Sequence, residues 1–255
     1  MTVYKRSVIT VWGHGFVGSA MKKVLEKGLG NDIDEVRVVD PDKGYGVTLG
    51  HFCVDGHIIC VPAPTVKGLV DHSIIMDVIR QIKLTQGSVP ILIKSTIGPT
   101  FAKIIEDDDY ITFSPEFLTA ANAEEDLANS KFMVFAGGQE AYWADLMTAA
   151  IPSCTKVKFT DPVSASIMKY TVNSFLATKL SFLNEVADLY VDFTGKMYDN
   201  LRELLELDPR LGSSHMEAKG HWGGFCFPKD TEAFINMGQL DVLEAAVRSN
   251  STRSK

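Results

Sequence analysis

Near the start of the chain a β-branched run over residues 8–12 leads at once into Gly13-His14-Gly15-Phe16-Val17-Gly18, and apolar residues then recur at helical spacing over residues 17–27. A strand that turns through three glycines into a helix leaves few folds open. The first glycine permits the tight turn, the second lets a pyrophosphate approach the backbone, and the third lets helix and strand pack closely. The helix start offers unpaired N–H groups and the positive end of a dipole, which favour an anion. Asp40 closes the second predicted strand, roughly twenty residues beyond Gly18, where a carboxylate accepts from an adenosine ribose and repels a 2′-phosphate. These residues predict an NAD site rather than an NADP site, and the neighbouring Lys43 weakens that preference only slightly. A plain glycine turn beside an incidental Asp is the competing reading, and the strand-turn-helix context argues against it.

The first half continues as alternating short strands and helices, the form of repeated βαβ units. Strands are predicted over residues 8–12, 36–40, 57–61, 89–94, 110–113 and 132–136, and helices over 17–27, 74–82 and 141–150. The fold class is therefore α/β, a doubly wound parallel sheet followed by an all-helical domain, divided as residues 1–155 and 156–255. Between Pro162 and Gly195 the chain has neither Gly nor Pro, with Asp161 as N-cap and Pro162 as the first helical residue. One long helix is predicted there. Apolar residues lie around much of its circumference, which implies burial between domains or subunits. Residues 212–224 read as a loop, residues 228–249 as one further helix, and residues 249–255 as a frayed polar tail.

Lys and Arg number 25 against 32 Asp and Glu, a formal charge of -7, which argues against a grip on nucleic acid. Cys53, Cys60, Cys154 and Cys226 have no C-x-x-C spacing and read as reduced thiols of the cytoplasm. No apolar run approaches the roughly 18 residues that span a bilayer, and residues 1–7 lack the apolar stretch of a leader, so no membrane association is expected. No metal-ligand cluster is evident.

The second constellation is Gly223-Gly224-Phe225-Cys226-Phe227-Pro228-Lys229-Asp230. Its thiol follows a flexible turn and precedes a helix, whose N-terminus and Lys229 would favour the thiolate. A lone intracellular Cys is more often packing, but the Lys-Asp pair after it reduces those odds. On the long helix Lys169 and Asn173 stand at i and i+4, on one face. Facing inward they need partners, which points to a site; facing outward they are a solvated edge. Two loops at predicted strand ends, residues 94–100 and 114–118, put Thr96 and Glu116 where ligands bind in open α/β sheets.

With Ser114-Pro-Glu-Phe-Leu118, Lys169-Tyr-Thr-Val-Asn173, Asn184-Glu185 and Gly223-Gly-Phe-Cys226-Phe-Pro-Lys-Asp230 in this order, the chain resembles the UDP-glucose/GDP-mannose dehydrogenase family. The resemblance implies an NAD-binding Rossmann domain and a central helical domain that dimerises through the long helix and carries the catalytic Cys. It implies four-electron oxidation of a nucleotide sugar to a uronic acid for polysaccharide biosynthesis. Cys226 would be the nucleophile, with Lys169, Asn173 and a water held by Asp230 at the oxyanion and Glu116 and Thr96 positioning the water that assists proton transfer and hydrolysis. Val61, Pro62, Thr96 and Lys229 would join the glycine turn at the cofactor. Phe117, Leu118 and Gly223, with Lys169 and Asn173, would line the sugar.

Two departures stand out. The chain ends 29 residues past Cys226, before the family's second Rossmann-like domain, which closes over the nucleotide. The family's Glu-Phe-Leu-x-Glu-Gly stretch reads Glu116-Phe-Leu-Thr-Ala120-Ala121, without the acidic residue near the cofactor. Two other readings follow: a β-hydroxyacid dehydrogenase, which needs no thiol, and an NAD-binding, catalytically weak oligomeric module that needs a partner chain.

Overall fold

The computed structural model describes residues 7–46 and 54–254. Cys53 and residues 1–6, on which the thiol and leader readings partly rest, lie outside the described residues. The chain divides into two compact units. The first takes in the described residues up to Pro64 together with Val70–Lys169, and the second Thr65–Leu69 with the chain from Tyr170 onward.

In the first unit, strand β1 (Ser7–Trp12) and helix α1 (Phe16–Leu29) flank the glycine turn, followed by β2 (Ile33–Val39) and β3 (Gly56–Ile59). A short hairpin of β4 (Thr65–Val66) and β5 (Leu69–Val70) leads to α2 (Ser73–Gln86) and β6 (Ile91–Ile93). Then come α3 (Pro99–Ile105), β7 (Ile111–Phe113), α4 (Ala123–Ala128), β8 (Phe132–Gly137), α5 (Glu140–Ala150) and β9 (Lys156–Thr160). Apart from β4 and β5, the described strands form a seven-stranded sheet in the order β2-β1-β3-β6-β7-β8-β9. All its pairings are parallel except that of β7 with β8. The carboxyl ends of β1, β2, β3, β6 and β7 therefore share one edge.

A parallel sheet covered on both faces needs apolar residues on both sides of its strands. β3, β6 and β7 are buried along their whole length. One apolar cluster gathers Met21, Leu25, Ile58, Phe135 and Trp143 from the sheet, α1 and α5. The other gathers Ile59, Ile75, Ile93, Phe101 and Ala165 from the sheet, α2, α3 and the start of α6 (Pro162–Thr194). Leu92 is fully buried, and truncating such a side chain to Ala costs about 2–5 kcal/mol.

β9 was not foreseen, because its side chains are mostly exposed and it carries little apolar signal. It extends the sheet, and the first turns of α6 pack on the sheet's core, so the units divide at Lys169 rather than near residue 155. The cap of α6 is as expected: Asp161 Oδ1 accepts from the Ser164 N–H at 2.7 Å.

The second unit consists of the rest of α6, α7 (Asp199–Leu205), α8 (Phe227–Met237), α9 (Asp241–Thr252) and the hairpin residues. The single helix expected over residues 228–249 is two. Gly238 adopts an extended backbone, and the chain restarts as α9 at Asp241. The tail is helical to Thr252 rather than frayed, and Arg253 pairs with Asp188 of α6. Phe175, Phe182 and Leu189 of α6 are exposed in this chain, one every seventh residue. Among the described residues no helix is long and apolar enough to cross a membrane.

Candidate active site

At the shared strand edge, Gly13 has φ +88°, and a Cβ there would meet the Cys60 carbonyl oxygen at 2.6 Å. Only glycine lets the end of β1 pass the end of β3 so closely. Gly18 is buried against the Gly13 backbone for the same reason, while Phe16 and Val17 lean on the core. Gly15 differs from both. It is exposed, caps α1 without a side-chain hydrogen bond, and a Cβ there would meet nothing within 4 Å. The helix start is thus open to an anion. Asp40 Oδ2 accepts from the His14 N–H at 2.7 Å, which ties the end of β2 to the turn. Lys43 Nζ donates to the His14 carbonyl, and the His14 ring packs edge-on against Tyr45, centroids 4.9 Å apart.

Past β3, Val61 is half-buried, Pro62 is exposed, and the Val61 carbonyl accepts from Ser95 Oγ at 2.7 Å. The loop after β6 is held again by Ser166 Oγ, which donates to the Ile97 carbonyl at 2.6 Å. Thr96, half-buried, lies between these anchors.

The loop after β7 carries a buried charge. Glu116 begins no helix. Its Oε2 accepts from the Leu118 N–H at 2.7 Å and its Oε1 faces Lys169 Nζ at 3.1 Å, both side chains almost fully buried. The Lys169 ammonium also donates to the Glu116 carbonyl and lies 5.2 Å from the Phe117 ring centroid. Lys169 therefore faces inward and is partnered, not a solvated edge. Sequence reasoning gave no role to Lys94, which follows β6, is buried and donates to Ser114 Oγ and the Pro115 carbonyl, each at 3.1 Å. Burial pulls its pKa down to about 8, with Glu116 opposing. The same burial pushes the Cys60 thiol up to about 12. Lys94, Glu116, Phe117 and Leu118 line a cavity of about 590 Å³. A Lys ending the apolar run Pro90-Ile-Leu-Ile-Lys94 was the available signal.

In the second unit Asn173 Nδ2 donates to Asp230 Oδ2 at 2.6 Å, and Lys229 pairs with Asp230 Oδ1. Asp230 is 1% exposed and lies in the first turn of α8, where the helix dipole favours a carboxylate. Cys226 is the residue from which α8 starts, and it is half-buried. Gly224 has φ +85° and Gly223 is exposed, so the turn before the thiol uses the freedom of its glycines. The Lys229 carbonyl accepts from Thr65 Oγ1 at 3.0 Å. Tyr170 was missed by sequence reasoning. Its hydroxyl is buried without a partner among the described residues, its ring lies against Phe234, and burial with Asp230 nearby raises its pKa.

A parallel sheet with an open glycine turn at its first helix and a carboxylate after its second strand defines an α/β protein of the dinucleotide-fold class. A UDP-glucose dehydrogenase from the hyperthermophilic archaeon Pyrobaculum islandicum is similar at a TM-score of 0.81 and 23% identity, over 99% of this chain and 69% of that one. The 3-hydroxyisobutyrate dehydrogenase of Mycobacterium tuberculosis is similar at 0.65 and 16%, over 97% and 94%. At these identities the likeness shows the fold. In sequence, the UDP-glucose 6-dehydrogenase of Rickettsia bellii is 33% identical over 205 residues, 73% of this chain and 46% of that protein. Residues 163–252 match the UDP-glucose/GDP-mannose dehydrogenase family, central domain, and the chain resembles that family. It spans about half the length of the curated relatives it matches.

Proposed function

We propose that this chain takes part in NAD-dependent oxidation of a nucleotide sugar at its primary alcohol, through the aldehyde, to the uronic acid. The observation that carries the reading is Cys226 at the start of α8, one helical turn before an Asp230 already bonded to Asn173 and Lys229. The first unit suits NAD: an uncapped helix start, open space at Gly15, and the Asp40 carboxylate beside the turn. Gly13, Gly15, Phe16, Val17, Gly18, Asp40, Val61, Pro62, Thr96 and Lys229 are the residues assigned to hold it. NAD, when bound, supplies the hydride acceptor for each of two oxidations.

The chain's own residues do the rest. The Cys226 thiolate adds to the aldehyde carbon, giving a thiohemiacetal; loss of hydride and a proton then leaves a thioester. Water attacks the thioester carbonyl, the C–S bond breaks, and the acid and the thiol are released. Asn173 and Lys169 are assigned to donate to the developing oxyanion, with Asp230 holding Asn173 and the water in place. Glu116 and Thr96 are assigned to position that water and take its proton. Phe117, Leu118 and Gly223 are assigned to the sugar. The seven-residue spacing of Phe175, Phe182 and Leu189 supports a homodimer through α6, and the thiols suit a cytoplasmic protein.

The test is cofactor reduction by the purified chain with UDP- and GDP-hexoses, beside Cys226→Ser. Two NADH per sugar in the parent, and no acid from the variant, are expected. One NADH per molecule from simple hydroxy acids would overturn this in favour of a β-hydroxyacid dehydrogenase, the reading supported by a fold likeness covering 94% of the Mycobacterium tuberculosis protein. NAD binding without turnover would favour the module that needs a partner chain.

A further inference from the structure

His72 does work that neither the family's chemistry nor the sequence reading assigns to it. It stands at the start of α2, and its backbone carbonyl accepts from the Met76 N–H at 2.9 Å, so the helix fixes its main chain. Asp71 Oδ1 accepts from the Ser73 N–H at 2.8 Å, which tightens the same turn. The imidazole stacks on Phe101 of α3, ring centroids 4.5 Å apart and planes 7° from parallel. Held in that plane, Nε2 accepts from the backbone N–H of Gly98 at 3.0 Å.

Gly98 caps α3 and ends the loop that starts at Ser95. Ser95 Oγ on the Val61 carbonyl and Ser166 Oγ on the Ile97 carbonyl are hydroxyl donors, and neither changes charge near neutral pH. The His72 contact is the one of these three anchors that titrates. We infer that His72 is a positioning residue for the Thr96 loop and that it holds the loop only as the neutral imidazole. A protonated ring has N–H on both nitrogens, so Nε2 would then face the Gly98 donor with a donor. Thr96 sits two residues from the released amide. The consequence for turnover rests on the proposed role of Thr96; the hold on Gly98 does not.

The groups around the ring set its proton affinity. Burial lowers the His72 pKa from the ordinary value, and the Asp71 carboxylate opposes that shift. From α3 the ring meets the uncharged Phe101, and from the loop a backbone amide. Neutral imidazole is therefore the form present at pH 7, and the anchor is released on the acid side.

The experiment is amide NMR and hydrogen exchange on the whole chain from about pH 8 to about pH 5, with the His72 ring followed in the same samples. Expected is a Gly98 amide whose shift and protection change with the same midpoint as the His72 ring, accompanied by the Thr96 amide. In His72→Leu the Gly98 amide is unprotected throughout the range, and in His72→Gln, whose side-chain oxygen accepts without titrating, protection returns and the midpoint disappears. On turnover, His72→Leu is expected to lower kcat roughly ten-fold with little change in KM, and His72→Gln to restore it and move the acid limb of the pH profile. A Gly98 amide that ignores the His72 titration, or stays protected in His72→Leu, overturns the inference. Absence of turnover on any nucleotide sugar overturns the proposed function instead, because the amide measurements need no substrate.

Discussion

The two units bury charge in opposite ways. In the first, Lys94 and Lys169, 6% and 3% exposed, lie near a single buried carboxylate, Glu116. In the second, one buried carboxylate, Asp230, has an amide, an ammonium and the first turn of a helix to hold it. Burial lowers the Lys94 pKa, with the Glu116 carboxylate opposing, whereas Asp230 is supplied with donors on both oxygens. Lys94 therefore changes protonation state with modest alkalinity. The second network, with its carboxylate bonded on both oxygens, suits a group that must present the same face throughout a reaction.

Breaking the first network should give the largest effect. Glu116→Ala leaves two buried ammonium groups without their carboxylate, and urea unfolding at neutral pH should show a loss of about 3–5 kcal/mol. A loss no larger than that of a surface Glu would mean that Lys94 and Lys169 do not depend on Glu116.

The contrast is sharpened by pH. Lys94 has a folded pKa of about 8 against an ordinary 10.5, so the unfolded chain binds more protons between those values. Its contribution to stability is present above the ordinary value and is lost as pH falls through the folded one. The difference in unfolding free energy between parent and Lys94→Met should therefore shift in favour of the parent across that window, by on the order of 3 kcal/mol. A difference that is flat with pH would place the titration elsewhere.

In the second unit the effects are smaller. Asp230→Asn should lower stability by about 1–2 kcal/mol, since Asn173 and Lys229 keep a neutral partner, and chemical denaturation curves should retain their slope. Tyr170→Phe should act in the opposite direction. Its hydroxyl is buried without a partner among the described residues, and removing it should raise stability by about 0.5–1 kcal/mol, read as a higher Tm. A lower Tm would mean that the hydroxyl has a partner after all.

Legibility in the sequence followed the range of the interaction. The turn at Gly13 to Gly18 and strands such as β1 and β8 announce themselves within a few residues, because β-branched runs and glycine turns act locally. Asp161 and Pro162 likewise marked the start of α6. β9 did not, since its place in the sheet comes from pairing with β8 and not from burial of its own side chains. The break at Gly238 was hidden by apolar residues continuing on both sides of it. Cys226, Asn173 and Asp230 were readable as residue types, but the hydrogen bond between Asn173 and Asp230 joins positions 57 residues apart. Lys94 and His72 were visible as letters and unreadable as site residues. One needs the depth of a cavity and the other a stacked ring to acquire its meaning.

The passage of β1 beside β3 at Gly13 has a last implication, for how the chain can vary. What crowds that position is a carbonyl oxygen and its own carbon, not a side chain that a second substitution could trim. Suppressor searches starting from Gly13→Ala should therefore return reversion to glycine and no compensating change at the neighbouring strand.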